Sequence, residues 1–304
     1  EGGKLFVGIN DSGVVEGISD YKLLMDEIPN KIKNILGISV EVNLHNNNKK
    51  YFIEIIVHPQ LVAISYRGKY YKRVGSVNTE LSGNSLNEFV LRKSGLTWDN
   101  CTEERASFKD IDESTVRKFI RMGKESMRLP EVEGLSLNEI IEKLRLSEGG
   151  KLKRAAIILF GKDPNRFYPN IAIKIGEFGS SDVNLIAEVV EEGNLFQILE
   201  NSISQLTRKF FKNKILFDGL LRKEKSQYPL PAIREIILNA LVHRSYMGSM
   251  IQIRVYPNRL TVWNEGELQQ GITIQKLLKQ HPSVLRNPLI ADVCYKCGLI
   301  DAWG

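Results

Sequence analysis

Arg234-Glu235-Ile236-Ile237-Leu238-Asn239-Ala240-Leu241-Val242-His243-Arg244 decides the reading of this chain. It predicts one helix. Pro229 and Pro231 precede it, where a first turn tolerates proline, and Gly248 follows as a stop. Ile233, Ile236, Ile237, Ala240 and Leu241 recur at helical spacing and predict a continuous buried stripe, which Leu238 and Val242 widen. Glu235, Asn239 and His243 recur every four residues and stack on one strip. A nearly all-apolar helix carries such a strip either as a solvated face or because it meets a ligand or partner.

Downstream, Ile251, Ile253 and Val255 alternate, Pro257-Asn258-Arg259 turns the chain, and Leu260 and Val262 return, a hairpin ending in Trp263-Asn264-Glu265-Gly266-Glu267-Leu268. A short helix is expected over 272–279. A last one runs from Leu289 to Gly298 behind Arg286-Asn287-Pro288. Upstream, 194–211 reads as a helix with Leu195, Ile198, Leu199, Ile203 and Leu206 inward and Lys209, Lys212 and Lys214 at its basic end. Strands are expected at 155–160, 171–175 and 183–190, and helices at 112–123 and 136–146, the latter opened by a Ser136/Glu139 capping box. Residues 96–112 are polar and turn-rich and read as a linker containing Trp98 and Cys101.

At the start of the chain, Leu5, Val7 and Ile9 followed by the Asn10–Gly13 turn and Val14–Ile18 predict a hairpin. A helix over 23–36 and strands at 39–44 and 51–57 follow. Residues 61–66 and 70–74 read as a second hairpin through Arg67-Gly68-Lys69. There Tyr66-Arg67-Gly68-Lys69-Tyr70-Tyr71-Lys72-Arg73-Val74-Gly75-Ser76 interleaves cations with aromatic rings. Arg67, Lys69, Lys72 and Arg73 suit phosphates and Tyr71 suits a base. The same pattern also serves a solvated ribbon whose lysines protect its edge.

The 304 residues allow two or three domains, and 42% hydrophobic with 26% charged residues is ordinary for a globular protein. A net charge of +6 permits a nucleic-acid or nucleotide partner without requiring one. No apolar run is long enough to span a membrane. Three cysteines make no disulfide framework, which fits a reducing cytoplasm. Cys294-x-x-Cys297 lies in an apolar helix without a second paired spacing, so burial is the expected role. A Gly-x-Ser-x-Gly elbow is absent, as is a G-x-x-x-x-G-K-[ST] phosphate loop, which argues against a RecA-type helicase motor.

Glu1-Gly2-Gly3-Lys4-Leu5-Phe6-Val7-Gly8-Ile9-Asn10-Asp11-Ser12-Gly13, Gly17-Ile18 and Tyr71-Lys72-Arg73-Val74-Gly75-Ser76 resemble the Schlafen–AlbA-like domain. Leu152–Gly161 and Glu192-Gly193-Asn194-Leu195 resemble the connector of RecG-related bacterial transcriptional regulators. Arg234-Glu235…Asn239-Ala240…His243-Arg244, Asn264-x-Gly266, Arg286-Asn287-Pro288 and Gly298–Gly304 resemble the C-terminal domain of the same regulators, a divergent relative of the gyrase/histidine-kinase/MutL ATP-binding superfamily.

This resemblance implies an α+β chain: a Schlafen–AlbA-like DNA-binding domain at 1–97, a helical and stranded connector at 98–178, and an α/β sandwich of divergent Bergerat type at 179–304, truncated at its C-terminal end. It implies ATP and Mg²⁺ as cofactors and DNA or RNA as partner, with a homo-oligomer also in view. Glu235 would be the catalytic base and Asn239 the Mg²⁺ ligand. His243, Arg244, Asn264, Gly266, Arg286 and Asn287 would line the nucleotide. Alternatives are a Schlafen-like nuclease, a weak ATPase, and an interaction module with a degenerate pocket. The nuclease's Glu-x-Lys element normally precedes the Gly-Gly strand, so that alternative has no catalytic residues here. The second glycine-rich loop would begin where Gly304 stands, which leaves hydrolysis without support.

Overall fold

Strand β3 (Lys50–Val57) organises the first part of the chain: it is the central strand of its sheet, with backbone partners on both edges. Strands β1 (Gly3–Val7) and β2 (Glu41–Asn47) pair with it antiparallel on either side. This corrects the expected first hairpin: β1 pairs with β3, and 14–18 contributes only an Ile9–Val15 bridge. The Asn10 carboxamide accepts hydrogen bonds from the Ser12 and Val14 amides and so curls the segment into a loop. Helix α1 (Tyr21–Leu36) packs on β2 and β3, stacks Tyr21 on Tyr51, and ends at Gly37 in the left-handed region.

Strands β4 (Tyr70–Val74) and β5 (Val77–Leu81) form a separate hairpin, followed by helix α2 (Gly83–Lys93). The expected pairing of 61–66 with 70–74 reduces to one Tyr66–Lys69 bridge. Leu61 and Val62 lie on the surface, so their alternation buries nothing that would extend a ladder. The computed structural model describes residues 2–74, 77–129, 131–212, 214–218, 221–266, 268, 272–277 and 284–301. Gly75, Ser76, Glu267, His281 and the closing Ala302-Trp303-Gly304 therefore lie outside the described residues. The chain divides into two compact units, Glu1–Leu96 and Thr97–Gly304.

In the second unit, helix α3 (Glu113–Ser126) is capped by Asp112 and helix α4 (Leu137–Lys143) by the expected Ser136/Glu139 box. The short strands β6 (Ser147–Glu148) and β7 (Lys151–Leu152) lead into helix α5 (Arg154–Phe160). The sequence predicts a strand at 155–160; the structure corrects this to a helix. A short apolar run does not distinguish the two, and here Ala155 to Phe160 are buried on every side of a helix that touches α3. Phe119, Phe160 and Phe196 cluster around it.

Residues 96–112 are not a solvated linker. Trp98 is buried, stacked on Tyr246 and edge-on to Tyr168.

Strands β8 (Ala172–Phe178) and β9 (Leu185–Glu192) are followed by helix α6 (Leu195–Gln205), which Asn194 caps and a π-turn over Leu206–Phe210 extends. The hairpin β10 (Lys214–Asp218) and β11 (Leu221–Lys225), unforeseen from sequence, precedes helix α7 (Leu230–His243). Then come β12 (Ile251–Val255), β13 (Leu260–Trp263), α8 (Ile274–Leu277) and α9 (Pro288–Lys296). One mixed sheet runs β13-β12-β8-β9, with β8 and β12 parallel. The sequence-derived boundary at 178/179 falls between β8 and β9 of this sheet. Helix α6 packs on β8, β9 and α7, and α7 also meets β13. The fold is α+β, as the sequence indicates, and among the described residues no helix is long and apolar enough to cross a membrane.

Candidate functional site

Helix α7 buries Ile233, Ile237, Leu238, Ala240, Leu241 and Val242. Ile236 departs from the expected stripe: it is 44% exposed and shares the outer face with its neighbour Glu235. Glu235 and Asn239 stand on the surface, where the Asn239 carboxamide nitrogen donates to Glu235 Oε1 at 3.0 Å. His243, one turn further on, is half-buried. Burial first, and the Arg286 cation second, hold its imidazole below the ordinary range. The strip thus grades from solvent at Glu235 to shelter at His243.

The C-terminal end of α7 gathers the other predicted residues. Arg244 is 1% exposed. Its Nη2 donates to Ser249 O at 2.9 Å and Asn170 O at 3.1 Å, and its guanidinium lies over the Tyr246 ring. Asn287 is equally buried and donates from Nδ2 to Val242 O at 2.7 Å and Arg244 O at 3.0 Å. These carbonyls belong to the end of α7, which lacks intrahelical donors. Arg244 and Asn287 therefore hold backbone in place.

Arg286, the neighbour of Asn287, lies against Gly266. There φ is +146°, and a Cβ would sit 3.3 Å from Arg286 Nη2. Glycine serves both the left-handed backbone and the close approach of the guanidinium. Asn264, two residues earlier, is half-buried. Glu265 between them is a residue that sequence reasoning misses. Its Oε2 accepts from the Ser249 amide at 2.7 Å, which lowers its pKa, and its backbone oxygen accepts from the Ser245 amide at 2.9 Å. Asp99, also missed, reaches α9: its Oδ2 accepts from the amides of Leu289 and Ile290. A polar residue in a turn-rich stretch carries no signal of such a long-range cap.

The structure thus brings His243, Arg244, Gly266, Arg286 and Asn287 to one end of α7, with Glu235 and Asn239 further back along the same helix. Arg286 over bare Gly266 backbone fits the phosphate end of a nucleotide, since a planar guanidinium matches phosphate oxygens. For Mg²⁺ the chain offers the Glu235 and Asn239 oxygens; among the described residues no three His, Cys, Asp or Glu side chains converge on a metal-holding arrangement. Two protein oxygens suit an ion that keeps water and phosphate as its remaining ligands. Cys294 and Cys297 are buried, and burial pushes both thiols up.

In the first unit, Tyr66 and Lys69 close a two-residue turn with Arg67 and Gly68 both at positive φ. Beyond this turn, strand alternation sorts the side chains onto two faces. Tyr70 turns inward to Phe89 of α2, whereas Tyr71 and Arg73 lie on the opposite face and are exposed. Lys72 shares the Tyr70 side and is half-buried. Lys69 pairs with Glu80 at 2.8 Å, which raises its pKa. Tyr66 meets Tyr71 edge-on at 6.4 Å, with Arg67 over the Tyr66 ring.

Comparison with known proteins finds one family model within each unit. Residues 1–82 match the family model described as "Schlafen, AlbA_2". Residues 248–304 match the one described as "Putative ATP-dependent DNA helicase recG C-terminal". The second match contains Asn264, Gly266, Arg286 and Asn287 but begins after α7, so Glu235 and Asn239 precede it. The crystal structure of the DIP2311 protein from Corynebacterium diphtheriae aligns with a TM-score of 0.52 at 20% identity. That alignment covers 99% of this chain and 59% of the other, so the chain spans well under two thirds of that protein's length. It establishes a shared fold. No curated protein matches the chain.

Proposed function

We propose that this chain is a nucleic-acid-binding regulator of transcription whose second unit takes an ATP-class nucleotide. The observation that carries the nucleotide half is the graded strip of α7 leading to Arg286 over Gly266. In this reading Arg286 meets phosphate oxygens. Asn239, with Glu235 beside it, offers oxygen to Mg²⁺, and His243, kept neutral, borders the site without adding charge. Asn264 lies toward the base, and Gly266, without a side chain, lets the Arg286 guanidinium approach. Arg244 and Asn287 act one step removed, by fixing the end of α7 and the residue next to Arg286. Bound Mg²⁺ would neutralise phosphate charge; Glu235 is then the group able to accept a proton from water.

The AlbA-like match and the basic hairpin around Arg67, Lys69, Tyr71, Lys72 and Arg73 support DNA as the partner of the first unit. Binding of this kind weakens steeply with salt, because phosphate neutralisation releases counterions.

Titration calorimetry with ATP and Mg²⁺ tests the nucleotide half. Arg286→Ala should weaken binding about 10-fold, as expected for one charge-assisted phosphate contact. Glu235→Ala should spare binding more than any hydrolysis. Absence of heat at millimolar ATP would remove the nucleotide half of the reading.

A further inference from the structure

We infer that the β4–β5 hairpin recognises unpaired bases, so that its preferred ligand is single-stranded nucleic acid rather than a duplex. The inference rests on the nucleic-acid reading of the first unit and names the class of ligand within it. Tyr66 and Tyr71 are 43% and 40% exposed. They share one patch, edge-on at 6.4 Å. The inner face of the hairpin is already provided for by Tyr70 against Phe89. The outer rings therefore have no packing duty toward α2.

The charge around them selects the occupant. Arg67 lies over the Tyr66 ring, Lys69 and Arg73 share the strand face of Tyr71, and Glu80, the carboxylate on β5, is paired with Lys69. A polyanion with flat apolar groups is complementary to such a patch; an acidic protein surface would leave the rings without stacking partners. Within a duplex the faces of the bases are covered by their neighbours, and only edges and phosphates are offered. An unpaired strand offers both backbone charge and open π-faces, the combination that stacking platforms use. Arg67, over the Tyr66 ring, adds a second plane beside which a base can insert. Tyr66 enters the site on this argument, although the sequence pattern points to Tyr71 alone.

The test is fluorescence anisotropy with the full chain and a labelled mixed-sequence oligonucleotide of about 12 nucleotides, a span one such platform can fill. The same strand is compared as a duplex and with abasic sites. The single strand should bind about 10-fold tighter than the duplex, and the abasic strand should bind as weakly as the duplex. Tyr71→Ala and Tyr66→Ala should each cost about 10-fold on the single strand and leave the duplex unchanged, while Tyr71→Phe retains binding. Both rings are surface groups, so an unaltered melting temperature marks intact folding of the variants. Equal binding of all three probes, insensitive to either tyrosine, would overturn base stacking while leaving phosphate-directed nucleic-acid binding in place. Failure of every probe to bind would overturn both.

Discussion

The two ends of α7 carry similar polar chemistry and put it to opposite uses. At Glu235 and Asn239 a carboxylate and a carboxamide face solvent and bond to each other. At Arg244 and Asn287 a guanidinium and a carboxamide are buried and bond to main-chain oxygens. A buried polar group must find its partners inside the protein: Asn287 finds the carbonyls that the end of α7 leaves unsatisfied, and Arg244 finds those of Asn170 and Ser249 outside the helix. An exposed one is satisfied by water and can exchange that water for a ligand. Motif spacing alone treats all four residues as one set. Burial separates those that build the site from those that can touch what enters it.

The sharpest way to break this comparison is at Arg244. Arg244→Met keeps the apolar stem but strands the Asn170 and Ser249 carbonyls, and should lower unfolding free energy by about 3 kcal/mol in chemical denaturation. A loss comparable to that of a surface substitution would mean that the buried end is not structural. Next comes Asn287→Leu, which removes both donors to Val242 O and Arg244 O and should cost about 2 kcal/mol. At the other end, Asn239→Ala removes only a surface contact. It should change stability by less than about 0.5 kcal/mol while weakening Mg²⁺-dependent nucleotide binding.

The smallest effect falls on His243, midway between the two. Its folded-state pKa lies below the ordinary value, so the unfolded chain takes up the proton first. Stability should therefore be full above about pH 7.5 and decline as pH falls through the usual imidazole range near about pH 6.5. The melting temperature of His243→Gln should lack this component of the slope. An identical slope in the variant would show that His243 is not the group responsible.

A second contrast bears on how far sequence reading reaches. The Ser136/Glu139 cap lies where local pattern puts it, because a cap is a bond across three residues. The run Ala155–Phe160 escapes such reading, because a segment buried all round shows no periodicity. The pairing of β1 with β3 escapes it too. Pairing across fifty residues depends on which strand can be covered on both edges, and a turn signal such as Asn10–Gly13 reports only the local bend. The same limit explains Trp98 and Asp99. Both sit in a stretch with the composition of a linker, yet one stacks on Tyr246 and the other caps α9.

By itself the sequence determined the helix of α7, the strip that Glu235, Asn239 and His243 form along it, the α+β class, and the interleaving of cations with aromatic rings over 66–73, though not the strand that 70–74 pairs with. Each comes from spacing within a few residues, where geometry is set by the backbone. Only the tertiary structure decided that Arg244 and Asn287 face inward while Arg286 lies on Gly266. Only it decided that Tyr70 packs on Phe89 while Tyr66 and Tyr71 stand in solvent. The physical reason is that burial belongs to the surroundings of a residue. Burial sets whether a polar group is free to bind, and residues distant in the chain supply it.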